Sequence, residues 1–98
     1  MQILTTDVFD EWLANLRDTK VRARITDRIK RAGDGNFGKC EPIGSGLSEL
    51  KLDFGPGYRV YFFVEGRTVV VLLCGGDKRS QPNDIKLAHK LAKDWKNR

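Results

Sequence analysis

The sequence predicts one α+β domain over residues 1–98, in which an N-terminal helical hairpin and a C-terminal helix pack on a twisted antiparallel sheet. A chain of 98 residues is too short to bury two separate cores. Apolar residues recur at helical spacing near both ends of the chain and at strand spacing between them. The predicted order of elements is therefore βααβββα.

Two helices are predicted after a short strand at residues 2–5. Thr6 or Asp7 suits the N-cap of the first helix. Thr19 suits the start of the second helix, and Gly33 its end. Because the connection is short, the two helices should form an antiparallel hairpin. Their apolar faces consist of Phe9, Trp12, Leu13 and Leu16 in the first helix, and of Val21, Ile25, Ile29 and Ala32 in the second.

Strand periodicity begins after a glycine-rich loop. Apolar and polar residues alternate over 49–54 and, beyond a Gly-Pro-Gly turn, over 58–64, as in half-buried strands. The apolar run 69–74 is typical of a central strand covered on both faces. Gly75 and Gly76 are expected to end this strand, and Pro82 to open the last helix.

Composition excludes several classes of protein. With 40% apolar and 32% charged residues, the chain has the makeup of a soluble globular protein rather than a disordered one. No apolar stretch approaches the roughly 20 residues that span a bilayer, and the first residues do not resemble a signal peptide. We therefore expect a cytoplasmic protein without membrane contact. Two cysteines and one histidine are too few for a disulfide scaffold or the usual zinc site, so no metal or cofactor is expected.

The positive charge is unevenly distributed. The formal net charge is +5, and the second half of the chain carries all of it. The segment 20–31 is also basic, with six Lys and Arg residues against Asp27. Segregated positive charge suits a polyanion or an acidic protein partner, although a solvated helix face would have the same composition.

Alternation also predicts a polar face of the sheet. If Leu50, Leu52, Val60 and Phe62 point inward, then Glu49, Lys51, Arg59 and Tyr61 share the opposite face, with Lys78 and Arg79 where the third strand of the meander ends. Such a concave, cationic surface could hold a phosphodiester and stabilise its pentacovalent transition state without a metal. Cross-strand ion pairs of Glu49 or Asp53 with Lys51 or Arg59 are the structural alternative.

Two motifs together resemble the RelE/ParE toxin superfamily, and more closely its HigB-like branch of addiction module killer proteins. The first motif is Gly-Pro-Gly-Tyr-Arg-Val-Tyr-Phe at 55–62. The second is Gly-Gly-Asp-Lys-Arg-Ser-Gln at 75–81, followed by Asp84-Ile85. The resemblance extends over the whole chain and includes Gly46-x-x-Glu49-Leu50-Lys51. It implies a RelE-like fold.

The resemblance implies the toxin of a type II toxin–antitoxin pair, commonly a ribosome-dependent mRNA endonuclease. In such enzymes the 2′-hydroxyl attacks the adjacent phosphate and leaves a cyclic 2′,3′-phosphate and a 5′-hydroxyl, without a metal. The implied partners are the ribosome, mRNA and a cognate antitoxin with a helix-turn-helix. Operator DNA would be contacted only through that antitoxin.

The resemblance also assigns roles to residues. Lys51 matches a base or phosphate ligand, Arg59 the arginine that grips the scissile phosphate, and Arg79, with Lys78 beside it, the arginine of the transition state. The chain departs from RelE in having Glu49 in place of a second sheet lysine. It also lacks the late tyrosine of RelE and YoeB.

Further residues compete for these roles. Glu41 lies in a segment similar to the one that holds the general base of YoeB, so Glu41, Glu49 and Lys51 are rival candidates for the base. Tyr61 could stack on a nucleobase. Two other functions remain open: a ParE-like toxin that binds DNA gyrase without cleaving nucleic acid, and an inactive phage-derived binding module.

Overall fold

A five-stranded sheet with three helices makes up the protein, and the computed structural model describes all 98 residues. The predicted α+β class is confirmed. The strands follow the order β1-β5-β4-β3-β2 across the sheet. In chain order the elements are β1 (Gln2–Thr5), α1 (Asp7–Ala14), α2 (Thr19–Gly33), β2 (Cys40–Gly44), β3 (Leu47–Leu52), β4 (Tyr58–Glu65), β5 (Val69–Asp77) and α3 (Gln81–Lys96).

The predicted order βααβββα is wrong by one strand. The additional strand, β2, pairs antiparallel with β3 at the edge of the sheet. Four of its five residues are exposed, so it has no alternating apolar pattern by which to find it. Pro42 lies in its middle, a position that an edge strand tolerates because one side of the strand makes no ladder hydrogen bonds.

The sheet is mixed rather than antiparallel. β1 runs parallel to β5, with Gln2 opposite Val69 and Thr5 opposite Leu72. A strand of four residues has too little pattern to reveal its direction. The two helices that follow β1 provide the long connection that separates it from the antiparallel meander.

Helices cover both faces of the sheet. On one face, α1 and α2 contribute Phe9, Ile25 and Ile29 to a core. The sheet residues of that core include the four predicted to point inward: Leu50, Leu52, Val60 and Phe62. On the other face, Ala88 and Ala92 of α3 pack against residues of β3, β4 and β5. None of the three helices is long and apolar enough to cross a membrane.

Strand β5 does not end at its glycines, as the sequence had suggested, but continues to Asp77. A Cβ on Gly75 would collide with the ring of Trp12 from α1. A Cβ on Gly76 would collide with Asp84 of α3 on the opposite face. The glycines therefore let both helical layers approach the backbone of β5.

Candidate functional site

Three neighbouring strands bring five of the candidate residues together on the face covered by α3. Glu41 of β2 lies opposite Glu49 of β3, and Glu49 lies opposite Tyr61 of β4. Lys51 and Arg59 form the next cross-strand pair. We call these five residues the polar cluster. The predicted grouping on one face is therefore present.

The polar cluster is not the open concave surface that alternation suggested. Glu49 is 3% exposed, Arg59 5% and Tyr61 0%. The cause is α3, which packs over this face and which the strand pattern alone could not place there. Within the cluster, the Glu41 side chain is well exposed and that of Lys51 retains 17% of its exposure.

Arg59 is the cation at the centre of the cluster. Its Nη1 donates to the Tyr58 carbonyl at 2.9 Å and lies 3.8 Å from Asp53 Oδ1. Its Nε is buried and has no hydrogen-bond partner, and neither has the Tyr61 hydroxyl. Burying an unsatisfied donor costs free energy, so either atom would gain from an acceptor once neighbouring side chains move to admit one.

The two glutamates of the cluster have different partners. Glu49 accepts hydrogen bonds from Gln81 Nε2 of α3, at 2.9 Å to Oε2 and 3.2 Å to Oε1. Glu41 Oε1 lies 2.8 Å from Lys51 Nζ. The hydrogen bond and charge of Lys51 lower the pKa of Glu41. A lowered pKa makes Glu41 a weaker proton acceptor.

Gln81 was not among the predicted site residues. The sequence shows it only as the residue after Ser80 at the start of a helix, and no local pattern links it to Glu49.

The predicted cross-strand ion pairs are realised in part. Arg59 approaches Asp53, while Lys51 pairs with Glu41 and not with Glu49.

Lys78 and Arg79 occupy the turn between β5 and α3, and both are exposed. The Lys78 stem covers Gly57, where a Cβ would stand 2.9 Å from Lys78 Cγ. A hydrogen bond from Lys39 lowers the pKa of Asp53, and the charges of Lys39, Arg59 and Lys78 add to this effect. Lys78 and Arg59 thus act on the same carboxylate.

Arg79 is held through its backbone. Its N–H donates to Asp77 Oδ1 at 2.9 Å, while its side chain extends into solvent from the end of the sheet where Tyr58 pairs with Asp77. The structure therefore places Arg79 at the same end of the sheet as Arg59. Its guanidinium is free to approach a ligand there.

Three of the four arginines of α2 make contacts within the protein. Arg28 donates to three backbone carbonyls: Lys51 and Lys39 at 2.8 Å each, and Phe37 at 3.1 Å. Burial and the neighbouring charge of Arg31 lower the pKa of Arg28. In the adjacent 380 Å³ cleft, Arg24 stacks on Phe54 and Arg31 pairs with Asp27. Several of the basic side chains of segment 20–31 thus make contacts within the protein.

No group of three or more His, Cys, Asp or Glu side chains is placed to hold a metal ion. The functional groups at the site are cations, two carboxylates, a phenol and an amide. Such a set can bind an anion and can transfer protons.

Comparison with known proteins identifies the family. The family model described as "Phage derived protein Gp49-like (DUF891)" matches residues 11–93. The chain belongs to this Gp49-like family. The match includes the second half of α1, most of α3 and all five residues of the polar cluster. Gp49-like proteins are an addiction-module toxin-like family. The family therefore agrees with the resemblance to addiction-module toxins noted in the sequence.

A protein of Haemophilus influenzae (strain Rd) is similar in sequence to this Gp49-like chain. It is described as an uncharacterized protein and is 47% identical over 94 residues. The aligned region covers 96% of this chain and 95% of the relative. The two proteins are therefore similar over essentially their whole lengths.

Proposed function

We propose that this Gp49-like protein is the toxin of a type II toxin–antitoxin pair, of the HigB-like branch, and that it cleaves mRNA on the ribosome without a metal. The observation that carries the proposal is the buried Arg59 guanidinium with an unpartnered Nε. Lys51 is its cross-strand neighbour, and Lys78 and Arg79 lie at the same end of the sheet. A scissile phosphate matches these donors in charge and in hydrogen bonding.

In the proposed reaction, a base removes the proton of the 2′-hydroxyl, and the oxygen forms a bond to the adjacent phosphorus. The bond from phosphorus to the 5′ oxygen then breaks, and that oxygen leaves as a hydroxyl after gaining a proton. The products are a cyclic 2′,3′-phosphate and a 5′-hydroxyl. Arg59 and Arg79 stabilise the extra negative charge of the transition state.

The surroundings of the three candidate bases differ. Glu41 is a weak candidate because its pKa is lowered by Lys51. Glu49 is buried and accepts both of its hydrogen bonds from Gln81. Lys51 is partly exposed and adjoins Arg59, so it is best placed to contact the RNA, as base or as phosphate ligand.

The proposal includes a cognate antitoxin with a helix-turn-helix, which neutralises the toxin and represses the operon. An acidic antitoxin segment would complement the positive charge of the chain. Its affinity would then fall as salt screens the charges.

The test is inducible expression in bacteria followed by mapping of new RNA 5′ ends. Lys51→Ala and Arg79→Ala are preferred to changes at Arg59, because truncation of this buried side chain would leave a cavity and destabilise the fold. Arg67→Ala is the matched control, since Arg67 is exposed in the turn before β5, beyond the end of β4 opposite to Arg59. We expect cuts in phase with codons for the wild type and the control, and a large loss of cuts in both site variants.

A second function is favoured by the burial of Glu49, Arg59 and Tyr61, which leaves little of the cluster open to RNA. In that case the protein is a toxin that binds DNA gyrase and cleaves nothing. Growth arrest without new 5′ ends, retained in Lys51→Ala and Arg79→Ala, would replace the nuclease proposal by this one. Absence of arrest would leave an inactive phage-derived binding module.

A further inference from the structure

A row of cations without ion-pair partners lies on α3. The structure contains four ion pairs, and no lysine of α3 takes part in them. Lys96 additionally lies 4.9 Å from the centre of the Phe63 ring. We call the four exposed lysines of this helix the lysine row: Lys86, Lys90, Lys93 and Lys96.

The lysine row occupies one side of α3. At about 100° per residue, its members fall within an arc of about 120°. His89 lies in the same arc, and its Nε2 is 3.0 Å from the Ile43 carbonyl. No Asp or Glu falls within the arc: Asp94 lies about 40° beyond Lys90, and Asp84 lies on the opposite side of the helix. No carboxylate forms an ion pair with the row.

We propose that the lysine row binds the phosphate backbone of single-stranded RNA, as a surface separate from the polar cluster. The choice of RNA rests on the proposed function. The positive charge and its lack of partners do not depend on that function.

The composition of the row favours a nucleic acid over an acidic protein. Protein–protein interfaces are depleted in lysine and enriched in arginine and aromatic residues. The row has neither arginine nor an exposed aromatic ring. Lysine binds phosphate as a point charge, without the planar fork that selects carboxylates, and nucleic-acid interfaces are strongly positive.

The position of the row also suits a strand that passes the polar cluster. Helix α3 begins at Gln81, which contacts Glu49, and the row extends from there toward the end of the helix. Lys86 and Lys96 are about 15 Å apart along the axis at 1.5 Å per residue. A nucleic-acid strand that advances about 3.4 Å per phosphate would present about four phosphates over this length.

At the far end of the row, a 330 Å³ cleft separates α3 from the turn between β2 and β3. His89, Lys93 and Lys96 line it, together with Ser45. The cleft has no acidic residue, so it can accept the terminal phosphate of such a strand without repulsion.

The test uses the full chain and a fluorescent 12-nucleotide 2′-O-methyl RNA. This probe cannot be cleaved by the proposed reaction because it lacks a free 2′-hydroxyl. Anisotropy titrations between 50 and 200 mM NaCl give the salt dependence of binding. The row variant carries Lys→Gln at all four positions. The control variant removes the same charge elsewhere, through Arg17→Gln, Lys20→Gln, Lys30→Gln and Arg67→Gln.

For the row variant we expect the plot of log Kobs against log[salt] to become shallower by about 3, which is about 0.7 for each of four phosphates. We expect the control variant to keep most of the wild-type slope. Thermal unfolding and circular dichroism verify that both variants fold. The proposal is overturned if both variants lose binding equally, which would indicate a general charge effect. It is also overturned if the row binds a polyglutamate peptide and not the RNA.

The binding assay tests the RNA-binding surface, and the cleavage assay tests the proposed function, so each proposal can be contradicted without the other. Loss of the salt slope in a row variant supports the surface even if no cleavage is seen in cells. Cleavage in cells with unchanged RNA binding by the row variant supports the proposed function and contradicts the surface.

Discussion

Glu41 and Asp53 are exposed carboxylates with lysine partners, and the pKa of each is lowered, first by a hydrogen bond from Lys51 or Lys39. A group whose pKa is lower in the folded state stabilises the fold above its ordinary pKa, here 4.5 and 3.8. That contribution is lost as the pH falls through the lowered values. We therefore expect the Glu41→Gln/Asp53→Asn variant to lose less of its melting temperature between pH 6 and pH 3 than the wild type, as measured by circular dichroism.

The pKa of Asp84 is shifted in the opposite direction to those of Glu41 and Asp53. Burial raises its pKa, and the hydrogen bond from Ser80 offsets this only in part. Its contribution is present below the ordinary value and is lost as the pH rises through the raised one. Asp84→Asn should therefore make the loss of stability on acidification larger. A change in the same direction for both variants would contradict this assignment.

At the scale of elements, β5 is the strand on which both helical layers depend. Gly75→Ala would force its methyl group into the ring of Trp12, since the strand backbone leaves no space for a Cβ. Overpacking of this kind costs about 2 kcal/mol, or about 10 °C in the melting temperature of a domain of this size. Urea unfolding measures the loss directly.

The control is Gly66→Ala in the turn between β4 and β5. Gly66 has φ +61° and open space around its Cβ position, so its cost of about 1 kcal/mol comes from backbone strain alone. In a Trp12→Leu background, the Gly75→Ala cost should shrink while the Gly66→Ala cost stays the same. Equal costs of Gly75→Ala in both backgrounds would show that the ring is not the obstacle.

For the whole molecule, the two cysteines report on different states. Cys40 is exposed, whereas Cys74 lies in the core beneath α3. Burial, with the nearby charge of Asp84, raises the pKa of Cys74 to about 12. In a Cys40→Ser variant at pH 8, we expect Cys74 to react with a disulfide reagent at least about 1,000-fold more slowly than an unfolded chain, because reaction requires opening of the fold.

Gly75→Ala should accelerate this labelling in proportion to its loss of stability. Labelling of Cys74 in the native protein as fast as labelling of Cys40 would mean that the core under α3 opens locally.

How much the sequence predicts depends on how regularly each segment alternates. The periodic faces of α1, α2, β3 and β4 identified the first core, including Val60 and Phe62. β2 was not predicted, because its mostly exposed residues show no alternation of apolar and polar side chains. Alternation placed Glu49 and Tyr61 on one face, but it could not show that α3 covers that face or that Gln81 reaches Glu49. Those contacts join segments that are far apart in sequence.

The parallel pairing of β1 with β5 sets the order in which the protein can form during its own synthesis. The first strand leaves the ribosome early, yet its only neighbour in the sheet is β5. Thr6, which directly follows β1, donates a hydrogen bond from its hydroxyl to the carbonyl of Leu73, 67 residues further along the chain. The nascent chain therefore cannot complete its sheet until β5 has been translated. A protein proposed to stop translation would thus acquire its complete sheet only after the ribosome has read the message through β5.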